Sequence, residues 1–238
     1  MAGRIRSPWQ TAGDPDTDRA SKKEAVLRAA AQVFNEKGFQ ATTLDEVAAR
    51  LNVSKPTLYY YVRSKDDILF ECVQAGLTLV QEAIAAVEAK GGRAVDKLMA
   101  AMRQYVEIVT MDFGMCIIRV GEDPLPKAER AKLRRMKAEI DHEFRRLIEE
   151  GMAEGSIAPC DARIAAFTIG GALSWIGRWY RPDGAYSRED IADHMIALMA
   201  KGLCSRDPKF ADAGCKTPRT APAKPRAARS KAATQEFK

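Results

Sequence analysis

The stretch from Thr43 to Lys65, TLDEVAARLNVSKPTLYYYVRSK, constrains this chain more tightly than any other. Thr43 with Glu46 three places on is a capping-box pattern, which starts a helix by satisfying its orphan N–H groups. Leu44, Val47, Ala48 and Leu51 follow at helical spacing as one buried stripe. Asn52 tolerates the left-handed conformation of a sharp turn, so the helix is expected to stop there. Ser54 can cap a second helix, and Pro56 suits a first turn, where its missing N–H costs nothing. Ser64 with Asp67 suggests a third capped start.

The second of these helices carries unusual chemistry. Leu58 and Val62 point inward, leaving Lys55, Thr57, Tyr59, Tyr60 and Tyr61 to face outward or sideways. A solvated helix face ordinarily carries Glu, Lys and Gln. Hydroxyls and a lysine suit phosphate oxygens, and Thr methyls and Tyr rings suit thymine methyls in the major groove. No acid falls between Val47 and Asp66, as a surface facing a polyanion requires. A buried helical hairpin with Tyr as amphipathic filler is the plainer alternative, and the polarity of this face argues against it.

VSKPTLYYYVRSK resembles the helix-turn-helix signature of the TetR (tetracycline-repressor) family, and FNEKGFQATTLDEVA resembles the same family's first helix and turn. Asn52 stands where Gly is common, and Tyr61-Val62 where His-Phe is common. The resemblance implies an all-α homodimeric repressor, each protomer placing one helix in a major groove. On that reading Thr43, Tyr60 and Lys65 hold phosphates, Lys55, Pro56, Thr57 and Tyr59 meet bases, and Tyr61 completes the DNA-binding set.

Charge divides along the chain in a way that suits this picture. Residues 1–65 carry 11 Lys and Arg against 7 Asp and Glu, and residues 206–238 carry 9 against 3, whereas the middle is mildly acidic. A basic head on a body that does not touch DNA would look like this. The expected organisation is a disordered arm (1–20), a helix-turn-helix domain (21–65, starting at a Ser21–Glu24 capping box), a helical ligand-binding and dimerisation domain (66–205) and a disordered basic tail (206–238). No unbroken run of eighteen apolar residues and no apolar signal core occurs, so a cytoplasmic, nucleoid-associated protein is expected. Five cysteines without a CxxC pair read as free thiols, buried in a reducing compartment.

The body reads as long amphipathic helices. Gly170-Gly171, inside the helix from Ala162 to Arg181, suggests close helix approach. With the helix from Glu189 to Leu203 it is expected to form a two-fold dimer seam using Gly170, Gly171, Trp179, Met195, Leu198 and Met199. His142 and His194 lack a nucleophile or metal-ligand spacing, so no catalytic site, metal or cofactor is expected, and each histidine reads as a core or interface residue.

One further cluster, SWIGRWYRPDG (Ser174 to Gly184), combines two Trp, a Tyr and two Arg. By composition alone, interface packing is the favoured reading over a pocket for phosphates and a planar ring. The pattern W-x-x-x-W-Y-R-P-D-G also resembles the C-terminal domain of TetR-family regulators of fatty-acid, steroid or aromatic-acid degradation, several of which respond to acyl-CoA thioesters. That likeness implies an acyl-CoA effector and a pocket lined by Met102, Tyr105, Val106, Phe144, Leu173 and Trp175, with Arg178 near its entrance. Competing readings are a sensor of cationic or aromatic drugs, a CoA-thioester enzyme and a ligand-free architectural DNA protein.

Overall fold

The computed structural model describes residues 15–203, with side chains from Arg19 to Gly202. The expectations for residues 1–14, for the tail at 206–238 and for Cys204 and Cys215 lie outside the described residues. Nine helices and no β-strand are found among the described residues: α1 Pro15–Lys37, α2 Leu44–Leu51, α3 Lys55–Tyr59, α4 Lys65–Ala89, α5 Ala94–Val109, α6 Asp112–Arg119, α7 Lys127–Glu154, α8 Ala162–Trp179 and α9 Arg188–Leu203. Helix α1 begins ahead of Ser21, so that serine lies within a helix rather than capping one, and part of the expected arm is helical.

The first three helices form the head, and their local signals act as written. Thr43 accepts from the Glu46 amide while the Glu46 side chain accepts from the Thr43 amide, closing the capping box. Asn52 adopts φ 56°, ψ 44° and turns the chain. Ser54 accepts from the Thr57 amide and Ser64 from the Asp67 amide, capping α3 and α4. Leu58 and Val62 are buried with Phe34, Phe39 and Val47, each such side chain stabilising the fold by roughly 1.5–3 kcal/mol. Helix α3 is shorter than its pattern suggested: Tyr60 is its C-cap and Tyr61 lies beyond it.

Helix α4 joins head to body. Ile68, Leu69, Cys72 and Val73 are fully buried, and the Cys72 thiol donates to the Leu27 carbonyl of α1 at 3.3 Å. By length and composition α4 is apolar enough to cross a membrane, yet these side chains pack into the protein's core. Helix α6 crosses both α4 and α5, and one glycine makes that possible. A Cβ at Gly114 would lie 1.9 Å from the Ile108 carbonyl oxygen, so only a residue without a side chain lets α6 turn so tightly against the end of α5. Gly170 and Gly171 behave oppositely. Nothing lies within 4 Å of where their Cβ atoms would stand, so within the chain this pair serves no close helix approach.

Candidate nucleic-acid interface and ligand cavity

Helix α3 presents Lys55, Pro56, Tyr59 and Tyr60 to solvent, the tyrosines 47% and 65% exposed. A buried filler role is thereby excluded for both rings. Tyr60 and Tyr61 meet edge-to-face at 5.1 Å, and the Arg19 guanidinium sits 5.2 Å from the Tyr60 ring centroid. Thr57 is partly buried, its hydroxyl 2.7 Å from Ser54 Oγ. Thr43 is exposed at the start of α2, its oxygen engaged in the cap.

Two lysines are not free as their positions in the sequence suggested. Lys55 Nζ lies 3.0 Å from the Asp45 carboxylate, a pair that raises the lysine pKa above its ordinary value. Lys65 Nζ donates to the carbonyls of Phe39 at 2.9 Å and Thr42 at 3.1 Å, reaches Gln40 at 3.5 Å and lies over the Phe39 ring. Its ammonium ties the α1–α2 loop to the start of α4, a bracing role that the sequence pattern did not show. Sequence reasoning also missed Arg19, Lys23 and Arg63, which share with the three tyrosines a groove of about 1180 Å³ between head and body. Only the fold brings α1 alongside the end of α3.

In the body, a cavity of about 280 Å³ lies among α4 to α8. Its walls are mostly aliphatic, and its polarity is concentrated at a few points. The Tyr105 and Ser174 hydroxyls meet at 2.8 Å across it, and the Phe144 ring stands edge-on to Tyr105 at 6.2 Å. Burial pushes the Tyr105 phenol above its ordinary range, so it stays protonated and can donate. Lys137 and Asp141 also line the space, but each is paired outside it, Lys137 with Glu122 and Asp141 with Arg145.

Of the seven expected pocket residues, Tyr105 and Phe144 line this cavity. Met102, Val106 and Leu173 are fully buried packing residues that do not face it. Trp175 is 63% exposed on the outer face of α8, and Arg178 opens into a different cleft. Gly170 and Gly171, expected at a seam, also line the cavity. Trp179 and Leu198 are exposed, and Met195 and Met199 are half-buried against the core. With Ile164, Phe167 and Trp175 they leave exposed apolar side chains on both α8 and α9. Both His142 and His194 are exposed, so neither is a core residue. Among the described residues, no group of three His, Cys, Asp or Glu is placed to hold a metal.

Residues 26–72 match the family model for bacterial regulatory proteins of the tetR family, and residues 91–203 match that for the tetracyclin repressor-like C-terminal domain. Among curated proteins, the HTH-type transcriptional regulator YhgD of Bacillus subtilis is 26% identical over 186 residues, covering 76% of this chain and 96% of that protein. The HTH-type transcriptional repressor KstR2 of Mycolicibacterium smegmatis is 22% identical over 200 residues, covering 81% and 95%. Among solved structures, AibR in complex with isovaleryl coenzyme A and operator DNA superposes with a TM-score of 0.67 at 27% identity, covering 74% of this chain and 96% of that one. The ketosteroid regulator KstR2 of Mycobacterium tuberculosis reaches 0.71 at 18% identity, covering 82% and 100%, a likeness of fold.

Proposed function

The chain belongs to the TetR family of bacterial transcriptional regulators, proteins that are not enzymes, and from that premise we propose that it is a dimeric repressor released from its operator by an acyl-CoA thioester. One observation carries the effector class. The cavity is an aliphatic space whose uncharged polarity is a hydrogen-bonded Tyr105–Ser174 hydroxyl pair, with one hydroxyl proton left to donate, suited to an acyl chain and a thioester carbonyl oxygen. Its one lining carboxylate, Asp141, is neutralised by Arg145, which disfavours a cationic drug. The likeness to AibR, solved with isovaleryl coenzyme A, points the same way.

DNA binding on this reading runs through α3. Two copies, joined through the exposed apolar side chains of α8 and α9, would set their α3 helices in successive major grooves roughly 34–36 Å apart. The effector would favour a spacing that no longer fits, discriminating by about 5.5 kcal/mol to carry a 1:99 population to 99:1. Helix α4 is the natural lever, since Leu77 and Val80 touch the cavity and its first turn abuts the head. Isothermal titration with coenzyme A thioesters of graded chain length, paired with an operator mobility-shift assay, is the test. Binding that releases DNA supports the proposal; no heat with any thioester removes the effector class.

A further inference from the structure

On the far side of α6 from the apolar cavity lies a second cleft, of about 630 Å³, with walls from both head and body. Gln32, Asn35 and Glu36 of α1 form one wall; Arg119 at the end of α6, Arg178 of α8 and Arg181 just beyond it form the other. We propose that this cleft is a binding site for a polyphosphate group, held by Arg119, Arg178 and Arg181 and bridging the head to the body.

The three arginines are arranged in a way that folding alone does not favour. Arg119 is anchored by donating to the carbonyls of Gly177 at 2.7 Å and Tyr180 at 3.1 Å, with Asn35 at 3.4 Å. Its pKa lies below the ordinary guanidinium value, first through burial and then through the charges of Arg181 and Arg178 beside it. Three like charges gathered at one cleft repel one another, and a multivalent anion would turn that cost into affinity. Of the carboxylates at the cleft, Glu36 is neutralised by a cation outside it. Glu36 is held through both oxygens by Arg50 at 2.9 and 2.7 Å, and Asp112 accepts from Gln32 at 3.0 Å. Asp112, whose partner Gln32 carries no charge, and Asp183, on the same loop as Arg181, remain as acids at the cleft, fewer than the three arginines. In the α1 wall, Asn35 Oδ1 is buried without a donor. Planar guanidinium forks bind phosphate oxygens in pairs, and the cleft is roomier than one phosphate needs.

The phosphates could be those of a free polyphosphate or those of a coenzyme A, and the two are separable. Inorganic pyrophosphate titrated calorimetrically into the full chain at fixed ionic strength should give a saturable heat and raise the melting temperature. The double variant Arg178→Gln/Arg181→Gln changes two exposed side chains, so it should fold, and it should weaken pyrophosphate binding at least tenfold. No saturable heat, or equal binding by the double variant, would overturn the proposal. Repeating the titration with the apolar cavity filled by a thioester assigns the source. Loss of the pyrophosphate heat means that the thioester's own phosphates occupy the cleft, and an unchanged heat means a separate ligand. Because the cleft and the cavity lie on opposite faces of α6, failure of every thioester would leave the pyrophosphate result standing.

Discussion

Lys55, the first residue of α3, is held 3.0 Å from the carboxylate of Asp45 on the preceding helix. Both groups are exposed, so the pair contributes little to stability, but Asp45 offsets the positive charge that Lys55 would bring to DNA on the proposed reading. Asp45→Asn should therefore raise affinity for random DNA and steepen its salt dependence while leaving the melting temperature nearly unchanged. Fluorescence anisotropy between 50 and 200 mM salt measures both slopes; identical slopes would show that Lys55 does not meet DNA.

Tyr59 is expected to read a base. Tyr59→Ala should weaken operator binding by about 1–3 kcal/mol while leaving nonspecific binding close to wild type. Equal losses on cognate and random DNA would remove its role in specificity.

Lys65 makes a different prediction because its ammonium is spent on backbone carbonyls of the α1–α2 loop. Hydrogen bonds from a charged donor contribute roughly 1.5–3 kcal/mol, and Lys65→Met should cost a comparable loss of stability by urea denaturation. A lowered salt slope of DNA binding with unchanged stability would instead restore the phosphate role.

The two kinds of glycine in the body should respond in opposite directions. Gly170→Ala adds a methyl where nothing stands within 4 Å and should stabilise α8 by up to about 1 kcal/mol. Gly114→Ala drives a methyl into the Ile108 carbonyl and should cost several times as much. A larger side chain, as in Gly170→Leu, should fill the cavity and abolish thioester binding without unfolding the protein. Thermal melts and calorimetry on the three variants decide the matter.

Acid sensitivity is expected at Glu122. Burial alone would raise its pKa, but the hydrogen bond and charge of Lys137, with Arg134 beyond, hold it below the ordinary 4.5. A depressed native pKa means stability that is complete above about pH 4.5 and lost as pH falls through the native value. Glu122→Gln should thus cost no more than about 1 kcal/mol at pH 7. Urea midpoints of the two proteins should converge as the pH is lowered below 4.5.

Thiol chemistry should follow burial. Cys116 is pushed up to about 12 and Cys72 well above its ordinary value, both by burial, whereas Cys160 is exposed. With Cys204 and Cys215 replaced by serine, a thiol reagent should label Cys160 alone until the protein is unfolded.

What the sequence determined by itself was the head and the helical class. Thr43–Glu46, Asn52, Ser54 and Ser64 act within a few residues of themselves, so caps and turns were legible from spacing. Burial of Leu58 and Val62 followed from the same periodicity. Tertiary structure alone decided where the remaining side chains point. Met102, Val106 and Leu173 share the cavity's helices but face the core, while Trp175 faces outward and Gly170 faces the cavity. Lys55 meets Asp45 and Lys65 meets Phe39 because a sharp turn folds α2 and α3 together and α4 returns beneath the α1–α2 loop. Helical periodicity tells an apolar side from a polar one, but which apolar side bounds a void and which lysine finds a carboxylate depends on helix crossings between residues far apart in the chain.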